Sequence, residues 1–144
     1  MLRAVIVFFP AVLGAYIVGS IFATQTILAE LQAMAVPVTM RDRLHASWHD
    51  LLGLTTSYLP LMLLAFLVAM PVAAGLSRYL PKARVFLYVL GGAVAILALH
   101  VIMKAVLGLN GIAAVREPLG LALQCLAGCF GGYLFYVFTG RAHR

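Results

Sequence analysis

Four long apolar runs, separated by short polar stretches, set the layout of the chain. The first extends from Ala4 to about Leu28. Its tail, with Thr24, Gln25, Thr26, Glu30 and Gln32, turns polar as a helix leaving a membrane would. The others cover roughly residues 51–76, 85–107 and 118–138. A helix needs about 20 apolar residues to cross the hydrocarbon core, so each run predicts one transmembrane helix. The expected fold class is an all-α integral membrane protein: one domain, residues 1–144, of four transmembrane helices packed as a bundle, with both termini on the same side.

The densest polar stretch, Arg41 to Asp50, lies between the first two runs. Pro37 ends the first helix, because the residue before a proline avoids helical geometry. Thr39 followed three residues later by Asp42 has the spacing of a capping box, with Asp reaching back less far than Glu. Residues 40–50 are therefore expected to form an interfacial helical segment that runs straight into the second span. Pro60 and Pro71 fall inside that span. Each removes a backbone donor and is expected to bend it, with Thr55, Thr56 and Ser57 placed to satisfy the freed carbonyls. Small residues recur as Ala15/Gly19/Ala23, Gly91-Gly92 and Gly128-x-x-x-Gly132, a spacing that lets helix backbones approach closely. Asn110-Gly111 reads as a turn. Pro118 suits the first position of the last helix, with Glu117 beside its positive end.

Composition supports the bilayer as solvent. Of 144 residues, 65% are hydrophobic and 10% charged, with a mean hydropathy of +1.08. Soluble domains carry about 45–50% apolar and about 25% charged residues. The net charge of +6 does not point to nucleic acid, because the cations stand at the ends of apolar runs. The lipid bilayer and its anionic headgroups are the expected partners. Arg3, Arg78, Lys82, Arg84, Arg141 and Arg144 fall on one side with no acid among them. Arg41, Arg43, Lys104 and Arg116 share the other with Glu30, Asp42, Asp50 and Glu117. The positive-inside rule then puts both termini and the middle loop in the cytoplasm, and a bacterial inner (plasma) membrane is the expected location. A signal peptide cleaved near Ala33-Met34-Ala35 is the competing reading of the N-terminus. The first run is long for a signal core and carries Pro10, Gly14 and Gly19 in a packing pattern.

Candidate chemistry follows from where polar groups meet this layout. Asp42, His45 and His49 share one helical face and offer a carboxylate and two imidazoles to a zinc-like divalent metal, with Glu30 or Glu117 arriving from neighbouring helices. No HExxH or cysteine-rich motif accompanies them. Asp50 lies where the helix enters the bilayer and needs a partner, for which Arg116 and Lys104 are the natural candidates. His100 is the one ionisable side chain deep inside a span, and such a group is a functional candidate by default. As a haem ligand it would have only His49 for a second axial partner. Lys104, one turn on, can snorkel outward. Cys125 and Cys129, a turn apart on one helix, suit buried small residues better than a disulfide.

Three readings remain. The first is a non-catalytic structural or accessory subunit that packs through its small-residue faces against itself, as a homo-oligomer, or into a larger membrane complex, with no cofactor. The second is a small oligomeric transporter or channel with Glu30, Asp50, His100, Lys104, Arg116 and Glu117 around an outward-facing cavity, the prolines of the second span marking a broken helix. The third is a metal-dependent intramembrane enzyme built on the outer His/Asp cluster.

Overall fold

The computed structural model describes residues 2–108 and 113–141. The Asn110-Gly111 turn, His143 and Arg144 lie outside the described residues, as do the side chains of Arg3 and Arg141. Among the described residues there are five α-helices: α1 (Leu2–Ala33), α2 (Met40–Gly53), α3 (Tyr58–Tyr79), α4 (Arg84–Leu107) and α5 (Pro118–Arg141). Four segments are long and apolar enough to cross a membrane: Val5–Ala33, Tyr58–Tyr79, Pro81–Val106 and Pro118–Gly140, with mean hydropathies between 1.6 and 2.4.

Helix ends follow from local chemistry. After α1 the amide of Ala35 bonds the Gln32 carbonyl at 3.0 Å, and that of Val36 bonds the Leu31 carbonyl at 3.1 Å. This double closure needs a left-handed residue, and Ala35 takes it with φ 59°. At the start of α2 the capping box forms in full. The Asp42 amide donates to the Thr39 hydroxyl (3.2 Å), and the Thr39 amide donates back to the Asp42 carboxylate (2.9 Å). At its far end, α4 closes on Gly108 at φ 67°.

The second span differs from the sequence expectation. No single helix runs from residue 40 to 76. α2 stops at Gly53, a 3-10 turn covers Leu54–Thr56, and α3 begins only at Tyr58. The reason is Pro60. In a continuous helix its ring would meet the carbonyl four residues earlier; in the first turn of α3 its missing N–H costs nothing, since that donor has no helical partner. Pro60 therefore starts a span instead of bending one, while Pro71 stays inside α3. The Leu51 carbonyl at the break accepts from the Thr55 hydroxyl (2.8 Å) and from the Tyr16 hydroxyl of α1 (2.6 Å).

Small residues decide which helices touch. A Cβ on Gly92 would stand 2.0 Å from the Gly128 carbonyl oxygen, and one on Gly132 would stand 2.1 Å from that of Tyr88, so α4 and α5 pack backbone to backbone. On its other side α5 meets α1, with Gly131 against Ala15 and Gly19 against Gln124 and Ala127. Gly91 of α4 sits on Ala73 of α3. Residue numbers fall on one helix as they rise on its neighbour, so these pairs are antiparallel. The small-residue faces, which suit packing within the chain and which the accessory-subunit reading turns towards another chain, are occupied within this one. Tyr16, Met62, Phe66, Met70 and Ile96 fill the interior. Cys125 and Cys129 are free thiols, half-buried on α5. The turn from α3 to α4, with Arg78, Lys82 and Arg84, lies at the opposite end from α2, and Arg84 stacks on the rings of Tyr88 (5.9 Å) and Tyr136 (5.8 Å).

Candidate functional site

The polar tail of α1 and the polar stretch of α2 zip together. Thr24 donates to the Asp50 carboxylate (2.8 Å) and Gln25 to the Ser47 hydroxyl (3.2 Å). The Arg43 guanidinium donates to the side-chain carbonyls of both Gln25 and Gln32. Further along, Tyr16 meets Leu51 and Thr55. Partners that sum to a nearly constant number mark an antiparallel hairpin. On α2, Arg43, Ser47, Asp50 and Leu51 occupy the i, i+4, i+7, i+8 positions of one face. That face is spent on α1.

Beneath the hairpin a buried polar cluster joins all four long helices. Gln124 of α5 is 1% exposed. It donates to the Gly19 carbonyl of α1 (2.8 Å) and accepts from the Tyr58 hydroxyl at the start of α3 (3.1 Å). The Tyr58 ring lies 6.4 Å from that of Tyr16 and 5.8 Å from the imidazole of His100 on α4. His100 Nδ1 lies 2.8 Å from the Ile96 carbonyl. A carbonyl only accepts, so Nδ1 carries the proton, and in the neutral imidazole Nε2 presents a lone pair. Among the described residues that Nε2 is sealed from solvent and has no hydrogen-bond partner, as is true of Ser20 Oγ and Glu30 Oε1. Chemically the cluster offers a buried imidazole acceptor beside a fixed tyrosine–glutamine pair.

The residues singled out from the sequence divide accordingly. Asp50 joins the hairpin seam, but its partner is the Thr24 hydroxyl and neither Arg116 nor Lys104. The antiparallel hairpin sets the Thr24 hydroxyl of α1 beside Asp50 of α2. His100 is buried in the cluster, whereas Lys104, Arg116 and Glu117 are exposed. Asp42 serves as the α2 cap. Two hydrogen bonds from Thr39, one from its hydroxyl and one from its amide, hold the Asp42 carboxyl below the usual carboxylate range. His45 and His49 point outward from α2. Among the described residues no three His, Cys, Asp or Glu side chains gather closely enough to hold a metal ion. Tyr16, Ser20, Tyr58 and Gln124 escaped the sequence reading. Their only signal was a lone polar atom in an apolar run, without any spacing between them. Compared with known protein families, curated proteins and solved structures, the chain matches none.

Proposed function

We propose that this chain is a non-catalytic accessory subunit of a membrane assembly, a four-helix bundle with both termini cytoplasmic in a bacterial inner membrane, and that helix α2 is its contact element. One observation carries the reading. With one face of α2 spent on α1, Met40, Leu44, Trp48 and Leu52 form a row at four-residue spacing and are 72%, 69%, 63% and 59% exposed. The hairpin register supports a position for the start of this row beside the polar tail of α1, outward of the apolar layer. Apolar side chains so placed gain most by meeting another protein. The occupied glycine faces move the contact surface from the helix stripes to α2.

Photoreactive side chains tested in intact membranes separate this from a purely lipid-facing helix. A probe at Leu44 is expected to yield protein adducts, to a second copy or another subunit, while one at Val72 on the outer face of α3 yields lipid adducts. Lipid adducts at both positions would end the proposal. A second reading, the small oligomeric transporter or channel, draws on the free Nε2 of His100. Proton leak from proteoliposomes that disappears in His100→Leu would favour it.

A further inference from the structure

Tyr16 and Tyr58 hold α1 and α3 together at the hairpin end. Towards the other end these two helices part, leaving a groove of about 1100 Å³. Phe8 and Phe9 of α1 form one wall, Leu67 and Pro71 of α3 the other, and Gly75 leaves the space open: a Cβ there would meet nothing within 4 Å. Arg78 is the one charged residue among those lining the groove, and it stands in the last turn of α3.

We propose that this groove binds one acyl chain of an anionic phospholipid whose headgroup phosphate rests on Arg78. Three considerations select that occupant. The groove follows α3 from Pro60 to Arg78, about 27 Å of helix. The half-thickness of the hydrocarbon core is about 15 Å, so a chain anchored at Arg78 can lie along it for its whole length. Among the described residues no carboxylate balances the charge at its mouth: Arg78, Lys82 and Arg84 share that end, and the four Asp and Glu side chains belong to other segments. A second copy of this chain lying parallel in the same membrane would bring the same cations to Arg78, and like charges repel. A phosphate complements them, and an arginine fork binds it in bidentate fashion.

Native mass spectrometry of the whole chain in detergent tests the assignment, with phosphatidylglycerol and phosphatidylcholine of identical acyl chains as probes. Wild type is expected to hold phosphatidylglycerol at least about fivefold more tightly, the contribution of one basic residue at a membrane surface. Arg78→Gln removes that preference and Lys82→Gln keeps it. Gly75→Phe, filling the open space, weakens binding of both lipids. Equal retention of the two lipids by wild type would overturn the proposal, as would equal losses from Arg78→Gln and Lys82→Gln. So would dimers of the chain that exclude lipid. The two charge substitutions lie at exposed positions and leave the interior intact, so the comparison stands even where Gly75→Phe fails to fold.

Discussion

Tyr58 is a meeting point for four helices: its own, Tyr16 of α1, His100 of α4 and Gln124 of α5. Its hydroxyl satisfies a glutamine oxygen that has no access to water. Tyr58→Phe strands that oxygen and is expected to cost about 1–3 kcal/mol. Adding Gln124→Leu removes the stranded group, so the double variant should unfold at a higher temperature than Tyr58→Phe alone. A double variant that loses more than the single one would show that the ring packing, not the hydrogen bond, matters here. At this scale the sequence was half legible. A histidine in an apolar run announces itself, because a buried imidazole needs a reason. Tyr58 and Gln124 do not, because one polar atom per helix carries no pattern until the helices are placed side by side.

At the scale of elements, the α2 cap and the α4–α5 seam make separate predictions. Asp42 has a lower pKa folded than unfolded, so its capping contribution is complete above its ordinary value of 3.8 and fades as pH falls through the folded value. Hydrogen exchange at the Thr39 amide is expected to stay protected, relative to its intrinsic rate, near neutrality and to lose protection in acid. In Asp42→Ala it is unprotected throughout. At the seam, a Cβ on Gly128 would stand 2.3 Å from the Gly92 carbonyl oxygen. Backbone cannot swing aside as a side chain can, so Gly128→Ala should cost about 1–3 kcal/mol or more. Gly75→Ala, into open space, should raise the melting temperature slightly through helix propensity. Equal melting temperatures for the two variants would refute the backbone contact. The ends of three spans were readable from hydropathy within a few residues. The second was misplaced because Leu51, Leu52 and Leu54, which belong to α2 and the 3-10 turn, extend the apolar run ahead of the true start of α3. Pro60, preceded by Thr55, Thr56 and Ser57, marks a helix start there, and proline reads alike at a start and at a kink until its neighbours are seen.

For the whole molecule, the four apolar spans were legible and helix neighbours were not. Each span is apolar on nearly every side, so hydropathy does not say which face turns inward. α5 lies between α1 and α4 because it has glycines on two faces, Gly131 towards one and Gly128 with Gly132 towards the other. The proposed orientation makes a direct prediction. In a variant with Cys125 and Cys129 replaced by alanine, a membrane-impermeant thiol reagent applied to intact cells should label Glu117→Cys and leave Lys82→Cys untouched. Labelling of both from outside would remove the proposed sidedness.

The apolar span of α1 has 29 residues against 22 in α3. In ångströms that is about 43 against about 33, on a hydrocarbon layer of about 30. The surplus is the stalk on which α2 leans. Where the membrane is thin, Thr24 and Asp50 sit among headgroups and their hydrogen bond competes with water. Where it is thick, the same pair sinks into oil, and parting them becomes expensive. Bilayer thickness would then act as a dial on how firmly the stalk and its companion helix stay joined.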